Sequence, residues 1–459
     1  VRYVIGIHDP GFFSGRNIPE ILRPDSTNQT ATIKMNTMKL AEKITAIEAA
    51  KKVKSGDHVF IHGASAIPQA LVNALAEVSG DLQYVRLYHL HLNGSFPLIG
   101  EEFRGIFSDN SFFMGDNVRQ AVREKRADYI PVALAELPLL LRRRVVPLDV
   151  ALVSVSAPDK HGFVSLSTSV DVALAAVQSA SLVIAQVNRY LPRTHGDGVL
   201  HLRDIDFIVE EDIPLPIKAY PAPSAEEMEI GRHVAALVPD GATMQMGIGT
   251  MPNAVLSCLT GHKDLGVHTE MFSDGLLPLI ESGVVNNSKK KVLPGRTVTS
   301  FAGGSQELYD FVDDNHALVF KDISWVNDPV IISRNPRVVA VNSALEVDLS
   351  GQVCADSIGT QMFSGVGGQM DFMLGAAHSQ DGIPIIAMCS RTNKGFSKIV
   401  PTLKVGAGVT VTRSQAHWIV TEYGAVDLYG KNLGERAKAL ISIAHPDDRE
   451  ALERAWRER

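Results

Sequence analysis

The stretch HVFIHGASAIPQALVNAL (residues 58–75) passes from a short apolar run through a glycine turn into a helical pattern that opens on proline. The same grammar returns as TMQMGIGTMPNAVLSCL (residues 243–259), where Gly63 falls on Gly247, Pro68 on Pro252 and Ala70 on Ala254 in one register. A short apolar run closed by glycine reads as a buried strand, and proline is preorganised for the first turn of a helix. Each stretch is therefore a strand–turn–helix unit. Either the chain holds two related halves, or two ordinary βα units agree by chance.

Outward from these units the alternation continues. Strand-like runs occur at VALVSV (150–155), LVIAQV (182–187) and VVAV (338–341), with helical stretches at 68–77, 118–125 and 225–238. Continuous apolar strands between helices indicate a sheet covered on both faces, so the expected class is α/β. The helix at 225–238 opens on Ser224-Ala225-Glu226-Glu227, which has capping-box spacing, and stops at Pro239-Asp240-Gly241. Just before it, EDIPLPIKAYPAPS (211–224) carries Pro214, Pro216, Pro221 and Pro223, a density that blocks both helix and central strand. The expected organisation is an N-terminal domain over residues 35–213 and a C-terminal domain over 225–459. Residues 1–34 lack sustained periodicity and are set aside as an atypical extension, with Met35 or Met38 as the expected natural start.

Composition excludes several classes. The 459 residues exceed one ordinary core, and 45% hydrophobic with 21% charged residues is a globular balance. A net charge of −7 without a basic stripe gives no reason to expect nucleic acid. The basic run Arg142-Arg143-Arg144 reads as a solvated helix end. No stretch approaches the ~18 apolar residues that span a bilayer. Cys258, Cys354 and Cys389 are scattered, match no metal spacing and fit a reducing cytoplasm as buried, inert thiols.

Three segments could carry chemistry. GIGTMPN (247–253) puts glycines between a strand and a helix N-terminus; it matches neither dinucleotide nor P-loop spacing, and an anion cradle and a plain βα turn are both open. SGVGGQMDF (364–372) holds Gly365, Gly367 and Gly368, whose amides could converge as an oxyanion hole or simply form a tight turn. Glu270, in HTEMFSDG (268–275), follows the strand-like DLGVHT (264–269) and so belongs at the carboxyl end of a strand, where open α/β sheets bind ligands. A carboxylate there can attack a thioester if water is excluded. By spacing alone it is an ordinary surface or salt-bridged glutamate. His268 and Asp274 flank it without a third metal ligand, and a structural role is expected of His268.

With these segments the chain resembles the acetyl-CoA hydrolase/transferase family, class I CoA-transferases that include acetate and 4-hydroxybutyrate CoA-transferases. The resemblance runs from about Met38 to the C-terminus through GDNVRQAVREKRADYIPVAL (115–134), VSAPDKHGFVSLSTSVD (155–171), GIGTMPNAV (247–255), HTEMFSDG, SIGTQMFSGVGGQMDF (357–372), SKIVP (397–401) and VTEYGAVDLYGKNLGERAKALISIAHP (420–446). It implies two α/β domains of related topology with the active site between them. It makes Glu270 the nucleophile of a ping-pong transfer of CoA between short carboxylates, through an acyl-glutamyl anhydride and then a glutamyl-CoA thioester. It places coenzyme A, a co-substrate and not a tightly bound cofactor, against Gly247, Ile248, Gly249, Thr250 and Met251, with further contacts at Leu345 and Gly368. The N-terminal domain would add the acyl pocket, through residues 89–95 and the turn at Ala64-Ser65-Ala66. The expected partners are acyl-CoA and carboxylate substrates, with no nucleic acid or membrane, and a homo-oligomer is common for such enzymes. Hydrolysis of acyl-CoA by the same glutamate and a non-catalytic CoA sensor are the alternatives.

Overall fold

The two repeated units occupy equivalent places in two separate sheets. The computed structural model describes residues 40–458, so the extension expected at 1–34 lies outside the described residues. The first sheet has eight parallel strands in the order Glu42–Lys43, Phe207–Glu210, Leu182–Val187, Val150–Val155, His58–Ile61, Val85–His89, Phe107–Ser111, Ala127–Tyr129. The second has six, in the order Gly266–Val267, Thr243–Met246, Val338–Ser343, Ile383–Ala387, Trp418–Thr421, Gly424–Asp427, with only the last antiparallel.

Five strands of each sheet follow the same path. In both, the strand of the repeated unit lies between the next strand in the chain and a later one, Val150–Val155 in the first sheet and Val338–Ser343 in the second, and the two strands that follow it in the sheet extend that same edge. The likeness continues past the other edge. Phe107–Ser111 pairs with Val85–His89 and Ala127–Tyr129 with Phe107–Ser111, while His268 bridges Val298 of the strand Thr297–Thr299, which pairs with Leu318–Phe320. This shared order, far more than three matching residues, makes the halves related.

Local chemistry sets the element ends. Pro68 is the N-cap of the helix Gln69–Glu77, while Pro252 lies inside the first turn of Thr250–Ser257; the missing N–H is harmless at both places. Ser224 and Glu227 form the expected capping box of Ala225–Ala235, Glu227 N–H donating to Ser224 Oγ at 3.2 Å and Ser224 N–H to Glu227 Oε2 at 2.9 Å. The strands Val150–Val155 and Thr243–Met246 are buried along their whole length, as parallel strands covered on both faces must be. No described helix is long and apolar enough to cross a membrane.

The proline-rich segment does more than connect. Lys218 N–H donates to Gly304 O at 3.1 Å, and the Tyr309 hydroxyl donates to Pro216 O at 2.7 Å. It is strapped to the second half, where it faces the loops that leave the first.

Candidate active site

A cavity of about 470 Å³ opens where strands of both sheets end. Its walls come from the residues just past the carboxyl ends of four strands: Leu90 to Gly94 after Val85–His89, Phe113 onward after Phe107–Ser111, Gly247 and Ile248 after Thr243–Met246, and Glu270 beyond Gly266–Val267. This is the crevice that parallel sheets leave for ligands. The registers Phe60↔Tyr88 and Met244↔Val267 are equivalent in the two halves, and the same step along each chain reaches His91 and Glu270. His91 is thus the counterpart of Glu270 across the cavity.

Glu270 is held at its backbone from behind. Its carbonyl accepts from Ser300 N–H and Phe301 N–H, both at 3.0 Å, and from Thr299 Oγ1 at 3.1 Å. That leaves only the side chain free to turn, and its Oε2 accepts from Asn327 Nδ2 at 3.0 Å. Asn327 is fully buried in the turn between the short helices Ile323–Val326 and Pro329–Ser333. The same amide donates to Asp371 Oδ2 at 3.2 Å, so one side chain links two carboxyl groups. Burial pushes the Glu270 carboxyl up to about 7, the Asn327 hydrogen bond opposes the shift, and the charge of Asp371 adds to it. Asp371 is raised to about 6, also chiefly by burial.

Gly368, the N-cap of the helix Gln369–His378, is pressed against this group. A methyl in place of its hydrogen would overlap the Glu270 carboxylate and the Asn327 amide. The first half holds the glycine loop in place. Leu134 N–H donates to Gly367 O at 3.2 Å, Val366 N–H donates to the Tyr129 hydroxyl at 3.1 Å, and the Arg119 guanidinium lies 3.9 Å from the Phe363 ring centroid.

The residues singled out from sequence do not all meet. Glu270, Gly247 and Ile248 line the cavity, and Gly368 touches Glu270. Gly249 caps the helix Thr250–Ser257 with φ +117°, a conformation that favours glycine. Thr250 bonds the Glu227 side chain through its hydroxyl, and Met251 is buried in the core. Leu345 is half-buried, its N–H donating to Cys354 O at 2.8 Å. None of these last four lines the cavity. His268 is structural: buried, neutral, with Nε2–H donating to Val326 O at 2.8 Å, and its pKa is pushed down to about 3 by burial first and the Lys290 charge second. Asp274 accepts from Ser305 N–H at 3.1 Å and from Ser305 Oγ at 2.6 Å.

His91 lines the cavity within the loop 89–95 expected to form the acyl pocket, while Asn327, Asp371 and Lys218 also belong to this region and were missed. Asn327 stands in WVNDP, which carries no recognisable motif. Asp371 stands in SGVGGQMDF, where the glycines are the conspicuous residues. Among the described residues, the one group with metal-ligand proximity is His195, Asp314 and His316, with ligand atoms within 4.8 Å of one another. It lies outside the cavity wall, where the His195–Asp314 contact at 2.9 Å is an ordinary hydrogen bond.

The chain is also similar to known proteins. The family model described as the acetyl-CoA hydrolase/transferase N-terminal domain matches residues 30–217, and the corresponding C-terminal domain matches 304–456. The chain is 50% identical over 409 residues to a succinyl-CoA:acetate/propanoyl-CoA:succinate CoA transferase of Fasciola hepatica, covering 88% of this chain and 85% of that protein. It is 43% identical over 417 residues to a 4-hydroxybutyrate coenzyme A transferase of Clostridium kluyveri, covering 91% and 97%. The crystal structure of RipA from Yersinia pestis superposes with a TM-score of 0.87 at 35% identity, covering 91% of this chain and 97% of that one. With both domain models matched and such identity along most of its length, the chain belongs to the acetyl-CoA hydrolase/transferase family of CoA-transferase enzymes.

Proposed function

We propose that this enzyme moves coenzyme A between short carboxylates by a ping-pong reaction through a thioester on Glu270, with residues 35–213 and 225–459 as its two domains. One observation carries the reading: a half-buried carboxylate in the wall of the cavity is approached by a glycine N-cap and a buried amide and pairs with no cation among the described residues. Such a group is a poor permanent ion-pair partner and a good nucleophile.

The steps balance as follows. The Glu270 carboxylate attacks the acyl-CoA carbonyl, the C–S bond breaks, and CoA leaves as thiolate with an acyl-glutamyl anhydride behind it. The thiolate attacks the glutamyl carbonyl, forming glutamyl-CoA thioester and releasing the first carboxylate. The acceptor carboxylate then repeats both steps in reverse. Each attack builds an oxyanion. The amide of Asn327 and the N-terminal N–H groups of the helix Gln369–His378 are the donors placed to stabilise it. The loop at Gly247 and Ile248 receives the CoA arm, and Gly249, Thr250, Met251 and Leu345 support CoA from outside the cavity wall.

The test is incubation with acetyl-CoA in the presence and absence of a second carboxylate. Transfer predicts a new acyl-CoA that appears only with the acceptor, and borohydride after acyl-CoA exposure should inactivate the enzyme by reducing the thioester. Thiol release indifferent to the acceptor would instead make the enzyme a hydrolase.

A pH dependence follows from Glu270. Only the carboxylate attacks, and it is fully ionised only above its raised value of about 7. Transfer at low acyl-CoA concentration should therefore fall tenfold per unit on the acid side of about pH 7, instead of holding down to the ordinary carboxyl range near 4.5. Glu270→Gln offers no rescue at any pH. A flat rate between pH 5 and 8 would count against Glu270 as the titrating group.

A further inference from the structure

Two basic side chains among the described residues line the cavity, Arg119 and Lys218. Arg119 is already satisfied: it pairs with Asp116, donates to Phe363 O and stacks on the Phe363 ring. Lys218 makes no ion pair among the described residues, and its ammonium stands 5.5 Å from the centroid of the Tyr220 ring. The exposed Asp116 is the acid of the cavity rim, and Arg119 holds it. His91 offers no competing charge, because burial, and next the charge of Lys218, push its pKa down to about 4.

This ammonium is placed with care. It sits in the proline-rich segment, fixed by the Tyr309–Pro216 hydrogen bond two residues before it and by its own backbone N–H donating to Gly304 O. Around it the cavity is apolar, with Leu90, Leu92, Phe113 and Phe301 in the wall. An unpaired charge among apolar groups is costly, and an anion brought beside it in the same low-dielectric space is bound more strongly than in water. The cavity has Glu270 on the second half and Lys218 on the strap facing the first-half loop of His91.

Resting on the reading of Glu270 as the acyl acceptor, we propose that Lys218 binds a carboxylate at the far end of the acyl group. The enzyme is then selective for dicarboxylates among acids of equal length. CoA also carries anionic oxygens, in its phosphates, and the test must tell the two apart.

Succinate, 4-hydroxybutyrate and butyrate share four carbons and differ in the far group: carboxylate, hydroxyl, methyl. With acetyl-CoA as donor, the wild-type enzyme should use them in that order, with kcat/KM for succinate at least about tenfold above butyrate. Lys218→Met should lower the succinate-to-butyrate ratio by about thirtyfold or more, and Lys218→Arg should keep the wild-type order. A wild type that takes butyrate as readily as succinate overturns this inference and leaves the transfer reading intact. So does a Lys218→Met variant whose ratio is unchanged while KM for acetyl-CoA rises with every acceptor, which would give Lys218 to a CoA phosphate. Transfer to none of the acids would overturn both.

Discussion

Glu270→Gln should lose CoA transfer by roughly ten-thousand-fold while the protein becomes more stable at neutral pH. The first half of this result follows from chemistry. The amide is isosteric and can still accept from Asn327, so the fold and the cavity survive, but it cannot form an anhydride or a thioester. Glu270→Asp should also be severely impaired, because the shorter arm withdraws the carboxylate by about 1.5 Å while the backbone, pinned by Ser300 and Phe301, cannot follow. The second half follows from linkage. In the folded chain Glu270 titrates at about 7, against an ordinary value of 4.5. Between those values the folded state holds a proton that the unfolded state has lost, so stability falls as pH rises through the window. Glutamine removes that loss, worth on the order of 2 kcal/mol above pH 7. Melting followed at pH 8 and at pH 4.5 should show the variant higher by a few degrees at the first and level with wild type at the second. A variant that melts lower at pH 8 would mean that Glu270 stabilises the fold, as a structural carboxylate does.

Some strands of both sheets were legible because parallel strands buried on both faces need largely apolar runs, and VALVSV in the first sheet and VVAV in the second are such runs. Relatedness of the halves was visible only as three matched residues. Its proof, the shared strand order, resides in pairings between residues distant along the chain, which no local pattern encodes. The site divides in the same way. Glu270 and Gly368 lie in segments dense enough in unusual residues to attract notice, although spacing left the glutamate ordinary until the family resemblance was weighed. Asn327 was invisible: a single asparagine before Asp328-Pro329 reads as a turn, and what makes it functional is a 3.0 Å hydrogen bond to a residue far away in sequence. Lys218 was hidden by its setting, since a proline-rich stretch reads as a linker. The prolines do forbid helix and central strand there, as expected. A linker between two domains whose site lies in the cleft must pass that cleft, and here it supplies part of the wall.

Gly368→Ala tests the site more sharply than any change to the glutamate itself, because it alters no reacting atom. Gly368 has φ −99° and ψ 10°, a conformation that alanine adopts without strain, and it caps the helix Gln369–His378 without using a side chain. The backbone therefore has no reason to reject alanine. The added methyl, however, would overlap both the Glu270 carboxylate and the Asn327 amide, which must give way. Neither has room to do so cheaply: Asn327 is fully buried and bonded to two carboxyl groups, and the Glu270 main chain is fixed by three hydrogen bonds. The carboxylate must rotate away from the amide donors, and a displacement of about 1 Å at a reacting group costs on the order of a hundredfold in rate. Loss of an oxyanion donor adds about a further hundredfold or more. The expected result is a fall in kcat of roughly ten-thousandfold, with a melting temperature lower by a few degrees and acyl-CoA binding largely kept. Asn327→Ala should reproduce the loss in kcat, and because it vacates the space the methyl needs, the double variant should lose much less than the product of the two. Full multiplication of the effects would mean that Gly368 and Asn327 act at separate places, and the oxyanion site drawn around Glu270 would have to be divided.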